Sequence, residues 1–174
     1  DEQTGNECAF YFEGGIISFV RHLNRKRVTI HRHPFYLSRA IDSTVVETAI
    51  QYNDSFTESV LSFANCVNTT DGGSHLTGFR TALTRVLNDF AHKNKLIKED
   101  DPNLTGEDVK EGLTVVISVK LREPQFEGQT KSKLGNPEIK GIVESAVGDG
   151  LSLHFDEHPD DLKRIIDKGL LAAR

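Results

Sequence analysis

The run "LTVVISVKL", Leu113–Leu121, places Val115, Val116, Ile117 and Val119 beside a single charge, Lys120. β-branched residues at both odd and even positions predict a strand covered on both faces, and so one in the interior of a sheet. Its neighbours and covering layers must come from the rest of the chain. Upstream, "GGSHLTGFRTALTRVLNDFAHKNKL" carries Leu76, Phe79, Leu83, Val86, Leu87 and Phe90 at spacings of three, four and seven. At about 100° per residue these form one apolar face, which predicts a long helix over 72–96. Arg85 falls about 180° from Leu76, on the outer side, and Arg80 lies at the edge of the apolar face. Late basic residues suit the C-terminal end of such a helix.

Further out, "PFYLSRAI", "TVVETAIQY" and "TESVLSFANCV" predict three strands between Phe35 and Val67. They are broken at Asp42-Ser43 and at Asn53-Asp54-Ser55, and turn residues between such runs predict antiparallel hairpins. Nearer the N-terminus "CAFYFEGG" alternates weakly, a strand pattern that stops at Gly14-Gly15. "IISFVRHLNRKR" then sets Ile16, Ile17, Phe19, Val20 and Leu23 on a helical stripe. In "EDDPNLTGEDVKEG", Thr105 is a candidate N-cap for a short helical turn. Past the central run, Pro137 can open a helix carrying Ile139, Ile142 and Val143. "HPDDLKRIIDKGLLAAR" predicts a last amphipathic helix. The order gives an α+β fold, one mixed sheet with helices packed mainly on one face. Residues 1–174 are expected to form a single domain. Within it, 1–8 make a linker or frayed end, and 159–174 make a helix leading into a further segment.

Hydrophobic residues make up 37% and charged ones 27% of the 174 residues, the balance of a soluble globular domain. The net charge of −5 argues against a domain that binds nucleic acid tightly by itself, although a local basic strip is compatible with it. The apolar runs are too short to span a bilayer, and no signal pattern precedes Phe10. Cys8 and Cys66 lack C-x-x-C spacing; two buried thiols in a reducing compartment are the expectation, with a single disulfide the alternative. Asn53, Asn68 and Asn103 match the glycosylation acceptor pattern by chance. The sequence has no methionine and begins with Asp1, as expected of an excised or processed piece.

Several motifs fall short of their chemistry. Gly73 and Gly78 have G-x-x-x-x-G spacing, but Phe79 and Arg80 stand where a phosphate-binding loop needs Lys and Ser or Thr. His154 and His158 have i, i+4 spacing, but Phe155 replaces the glutamate that a zinc helix requires, and His31 with His33 has no third ligand nearby. No metal site is expected, and no nucleophile motif is present. What remains is "PQFEGQTKSKLGN", Pro124–Asn136, a loop that gathers Gln129, Lys131 and Lys133 in an acidic chain. A Lys-rich turn is ordinarily a solvated loop. Yet Lys131 is a compact point charge suited to a terminal phosphate, and Gln129 can donate to a phosphate oxygen or orient a water. In an extended tip the alternation puts both on one side.

Four blocks carry a resemblance. "YFEGGIISFVRHLNR", "YNDSFTESVLSFANCVNTTDGGSHLTGFRTALTRVLNDFA", "LTGEDVKEGLTVVISVKL" and "PQFEGQTKSKLGN" together resemble, in order from about Phe10 to Leu171, the transducer domain of the DNA gyrase B family. The B protein of topoisomerase IV is the close relative, and "GFRTALTRVLNDFA" leans toward gyrase. Ser74 departs from the threonine of the family's "GGTH".

The resemblance implies a fold like the second domain of a small-subunit ribosomal protein, with a left-handed crossover through the 72–96 helix. It implies an adjacent GHKL-type ATPase domain that binds ATP and Mg2+, to which this domain lends Gln129, Thr130 and Lys131, with Lys131 on the γ-phosphate. It further implies coupling of hydrolysis to clamp motion, strand passage and negative supercoiling. The isolated piece would be inactive and would hold no cofactor of its own. The implied partners are the ATPase domain and the downstream metal-binding domain of the same polypeptide, the gyrase A protein, a second copy of gyrase B, and double-stranded DNA. Membrane is not among them, and the setting is the bacterial cytoplasm beside the chromosome. Arg21, Arg25, Arg27, Arg80 and Arg85, with Lys26, are candidate DNA phosphate contacts. The competing reading is a module of the same fold that binds RNA or protein without nucleotide chemistry.

Overall fold

The computed structural model describes residues 15–129 and 131–173. The weakly alternating run at 8–13 and Thr130 therefore lie outside the described residues. Helix α1 (Ile16–Leu23) precedes strands β1 (Phe35–Ile41), β2 (Thr44–Tyr52), β3 (Ser59–Ala64) and β4 (Val67–Asn68). Then come α2 (Ser74–Lys93), α3 (Gly106–Lys110), β5 (Leu113–Lys120), β6 (Phe126–Glu127), β7 (Lys133–Leu134), α4 (Pro137–Glu157) and α5 (Pro159–Ala172).

β5 lies in the middle of a five-stranded mixed sheet of order β1-β2-β5-β3-β4, buried along its length except at Lys120. Its double-sided apolar run is the reason. Val115, Ile117 and Val119 pack with Val46 and Ile50 under the α2 and α4 side chains Phe79, Leu83, Val143 and Val147. Val116 faces the other way, where with Ala49 it meets Ile16 and Val20 of α1. The amphipathic stripe of α1 thus covers one face, and the main core lies between the opposite face and α2, α4 and α5.

β1 and β2 form the expected hairpin. Asp42 and Ser43 both have positive φ (48° and 71°), the conformation of a two-residue type I′ turn that matches strand twist. Asn65 and Cys66 repeat this between β3 and β4, so the third strand run is split in two. The expected hairpin between β2 and β3 does not exist. β2 pairs antiparallel with β5, and β3 pairs parallel with β5, which is inserted between them. The physical reason is burial: the most apolar strand takes the position where both faces and both edges are covered, and turn residues at 53–55 carry no information about a strand 60 positions later. The parallel pair β3/β5 is joined by the α2–α3 crossover.

α2 buries Phe79, Leu83, Val86, Leu87 and Phe90 as its spacing predicts, with Leu76 half-buried. Thr105 caps α3, accepting from the Asp108 N–H while the Asp108 carboxylate accepts from the Thr105 N–H, a reciprocal capping box. Gly73 and Gly78 serve packing, not phosphate binding. Gly73 (φ 135°) bridges to Leu134, and a Cβ on Gly78 would overlap the Lys140 carbonyl oxygen of α4. Cys66 is half-buried and disulfide-bonded, which corrects the expectation of a buried thiol; Cys8, the other cysteine, lies outside the described residues. Asn53 is fully buried and hydrogen-bonded, so it is no glycosylation acceptor.

Candidate functional site: a clamped hairpin tip and a basic strip

β6 and β7 pair as a separate two-stranded hairpin, with Gly128, Gln129, Lys131 and Ser132 among the residues between the two strands. Its base is fixed at several points. Asn136, almost fully buried, accepts the Gln125 N–H (2.6 Å) and donates to the Glu123 carbonyl (3.1 Å). The Gly135 N–H donates to the Gln125 carbonyl (2.7 Å), and Leu134 is buried in the main core. On the other flank the Leu134 N–H donates to the Gly72 carbonyl (3.1 Å), and the Asp71 N–H to the Ser132 carbonyl (2.8 Å). The Ser132 hydroxyl donates to the Asp71 carboxylate (2.7 Å). Neither Asp71 nor Ser132 was singled out from sequence. They are 61 residues apart, and short polar side chains in turns carry no local mark of such a pairing.

The tip stands clear of this clamp. Gln129 and Lys131 are exposed, and among the described residues neither has a hydrogen-bond or ion-pair partner. Lys133 is different: its ammonium lies 3.4 Å from the Glu127 carboxylate. Of the lysines gathered in this loop, Lys131 is the one whose charge is left for something else. The tip is not extended as expected, because Gly128 (φ 77°) and Lys131 (φ 55°) take left-handed backbone. A chain reversing direction between two short strands needs such residues, whereas a strictly extended run cannot turn. The hollows beside Arg80 (about 330 Å³), Asn136 (about 500 Å³) and Thr69 (about 360 Å³) are lined without Gln129 or Lys131.

The turn that carries Asp71 is itself anchored. The Thr69 hydroxyl donates to the Ser62 carbonyl (2.9 Å), so the His75 Nε2, 3.0 Å away, supplies the proton of its contact with Thr69. His75 is fully buried, its Nδ1 has no partner among the described residues, and burial pushes it down to about 4. The neutral form is favoured in the fold while the unfolded chain titrates near the ordinary histidine value. Stability is therefore complete above about pH 6.5 and falls as the pH drops from there toward 4, by about 2 kcal/mol at pH 5. Urea midpoints at pH 7.5 and 5 measure this, and His75→Gln should flatten the difference.

The candidate DNA contacts divide between two layers. Residues 16–41 contain no Asp or Glu but include Arg21, Arg25, Lys26, Arg27, Arg32 and Arg39. Arg21 meets the His33 ring (3.4 Å), Arg25 donates to the His22 carbonyl (2.8 Å), and Arg27 donates to the Ser55 and Thr57 hydroxyls (3.1 and 3.0 Å). These are neutral acceptors, and among the described residues no carboxylate pairs with Arg21, Arg25 or Arg27. The strip is mounted on a buried polar network. Asn24 donates to Gln51 and accepts from Asn53 and Thr114, and Gln51 donates to the His31 and Arg32 carbonyls. His31 accepts the Tyr52 N–H at Nε2 and donates from Nδ1 to the His33 carbonyl, and burial lowers its pKa. Arg80 and Arg85 sit on α2, across the sheet from α1. Arg80 makes a bidentate pair with Glu58 (2.6 and 3.0 Å), and Arg85 lays its guanidinium against Gly148 of α4.

His154 packs on the Phe35 ring (3.9 Å between centroids) and stacks on His158 (4.2 Å), at the junction of α4 and α5. Among the described residues no group of three or more His, Cys, Asp and Glu is placed to hold a metal ion, and no helix is long and apolar enough to cross a membrane.

Comparison with known proteins places this geometry in a family. The chain is 53% identical over 174 residues to the DNA gyrase B protein of Halalkalibacterium halodurans, covering 100% of this chain and 27% of that protein. It is 52% identical to the DNA gyrase B protein of Clostridium acetobutylicum, covering 100% of this chain and 28% of that protein. It thus spans little more than a quarter of the length of these curated relatives. Among solved structures, the 43K ATPase domain of Thermus thermophilus gyrase B in complex with an aminocoumarin superposes with a TM-score of 0.86 at 38% identity, over 92% of this chain and 43% of that one. The topoisomerase IV ATP-binding domain of Francisella tularensis in complex with a small-molecule inhibitor gives 0.79 at 27% identity, over 94% of this chain and 44% of that one. The DNA gyrase B family model matches residues 15–174, nearly the whole sequence, and the chain accordingly belongs to the DNA gyrase B family.

Proposed function

We propose that this chain is the transducer region of a DNA gyrase B protein, a single domain that couples ATP turnover in an adjacent GHKL-type domain to clamp motion, strand passage and negative supercoiling. The observation that carries this reading is the exposed pair Gln129 and Lys131, without partners among the described residues, on a hairpin clamped at its base. ATP supplies a γ-phosphoryl group whose transfer concentrates negative charge on oxygen. Lys131 offers a compact cation to that charge, and Gln129, with Thr130, offers neutral donors to the same phosphates. In this reading Mg2+ and most of the nucleotide contacts belong to the ATPase domain. The β3–α2–α3–β5 crossover is left-handed in this reading, as in the second domain of the small-subunit ribosomal protein. Loss of the γ-phosphate then removes the anchor of the hairpin and frees this domain to rotate.

The test is Lys131→Ala in the full-length protein, with ATP turnover measured. Full turnover overturns the assignment and favours an RNA- or protein-binding module of the same fold. The match to the DNA gyrase B family model and the identity of about half to gyrase B proteins support gyrase over its relative. The whole enzyme would work in the cytoplasm on chromosomal DNA with the gyrase A protein, a second gyrase B, and the downstream metal-binding domain.

The basic strip of Arg21, Arg25 and Arg27 supports a DNA-facing role for the α1 side, while Arg80, neutralised by Glu58, contributes less. Neutralising all three should lower DNA stimulation of ATP turnover. It should also flatten the salt dependence of DNA binding by a log–log slope of about 2–3, at roughly 0.9 per phosphate contact. Unchanged stimulation and slope would remove DNA from this face.

A further inference from the structure

Resting on the reading of Lys131 above, we infer that Asp71 is a positioning residue for that lysine, acting through Ser132. Lys131 is a non-glycine residue in left-handed backbone (φ 55°), a conformation that costs about 1 kcal/mol or more unless its surroundings impose it. The residue that follows it, Ser132, is held on both its backbone and its side chain by one partner. The Asp71 N–H donates to the Ser132 carbonyl (2.8 Å), and the Asp71 carboxylate accepts from the Ser132 hydroxyl (2.7 Å).

Asp71 is fixed in turn by the rest of the fold. The Gly72 N–H donates to the Thr69 carbonyl (2.9 Å), and the Thr69 N–H donates to Ser62 of β3 (2.8 Å). The Thr69 hydroxyl lies between Ser62 and the buried His75 at the start of α2. Gly73 bridges to Leu134, the residue that closes the far side of the same hairpin. A continuous set of bonds therefore runs from the sheet, through Thr69 and Asp71, to the residue beside Lys131. The Asp71 carboxylate is not within ion-pair distance of Lys131, whose ammonium has no carboxylate partner among the described residues. The influence is geometric, not a charge contact.

The test uses the full-length protein in the assembled enzyme, with ATP turnover measured for Asp71→Ala, Ser132→Ala, Asp71→Asn, Lys131→Ala and the Asp71→Ala/Lys131→Ala pair. Misplacing a catalytic group by about an ångström can cost on the order of 10-fold to 100-fold in rate. Asp71→Ala and Ser132→Ala are each expected to lower kcat by at least about 10-fold with KM for ATP nearly unchanged, as befits an interaction realised in the transition state. Asp71→Asn keeps an oxygen to accept the Ser132 hydroxyl and should retain most of the activity. In the Lys131→Ala background, Asp71→Ala should add nothing.

Melting temperatures should stay close to the parent, because Asp71 is exposed. Ser132→Ala repeats the test from the other partner if Asp71→Ala misfolds. Full turnover in both alanine variants, or an additive loss in the double variant, overturns the positioning role while leaving Lys131 itself in place. Full turnover in Lys131→Ala overturns the underlying reading instead.

Discussion

In the full-length protein, Lys131→Ala is expected to lower ATP turnover on the order of 10²–10³-fold, the usual consequence of removing one preorganised charge donor from a phosphoryl-transfer site, if Lys131 has the role proposed for it. The size follows from where the ammonium stands. It is exposed at the tip of a braced hairpin, with no partner among the described residues to satisfy before it can engage phosphate. Its attraction is therefore free to act on charge that develops during transfer. For the same reason the fold should not notice the change, and stability should stay within about 0.5 kcal/mol of the parent. Gln129→Ala removes a neutral hydrogen bond worth about 1 kcal/mol and should cost only several-fold. Lys133→Ala breaks a solvent-exposed pair with Glu127 and should do least. That ranking is checked by steady-state ATPase assays with a melting curve for each variant. A Lys133 effect equal to that of Lys131 would refute it.

Gly78→Ala is expected to destabilise the domain by about 2 kcal/mol, against the grain of helix propensity. In an isolated helix alanine is better than glycine by about 1 kcal/mol. Here the added Cβ would overlap the Lys140 carbonyl oxygen, a backbone atom of α4 that cannot swing aside. Relief requires α2 and α4 to move apart over the layer where Phe79, Leu83, Val143 and Val147 are buried. Overpacking a close-packed core in this way costs about 1–3 kcal/mol, occasionally more, so the clash outweighs the propensity gain. At about 2–4 °C per kcal/mol for a chain of this size, the melting temperature should drop by about 4–8 °C. Gly141→Ala is the control, since nothing lies within 4 Å of a Cβ there. It should be neutral or stabilising by up to about 1 kcal/mol. Equal effects at the two glycines would show that the α2–α4 approach is looser than described.

The same stretch shows why sequence and structure part company. Gly73 and Gly78 carry the spacing of a phosphate loop, and the lack of lysine and serine or threonine after them is enough to reject that reading. What they do instead, letting Leu134 and Lys140 come close, depends on segments some 60 residues away. The loop lysines divide along the same line. Residue type alone marks Lys131 and Lys133 alike, and only the pairing of Glu127 with Lys133 separates the spoken-for charge from the available one.

Local physics was sufficient for the elements themselves. Apolar spacing of three and four made α2, β-branching on both parities made β5 an interior strand, and Asp42-Ser43 made the β1–β2 turn, because each depends on neighbours within a few residues. The tertiary structure decided which strands touch. β5 separates β2 from β3, so turn residues at 53–55 end a strand without making a hairpin. It also decided that Asp71 meets Ser132 and that Arg80 is neutralised by Glu58, while Arg21, Arg25 and Arg27 meet no carboxylate among the described residues. These are contacts between residues distant in sequence, fixed by which surfaces gain most from burial together, and no short window of sequence contains both partners.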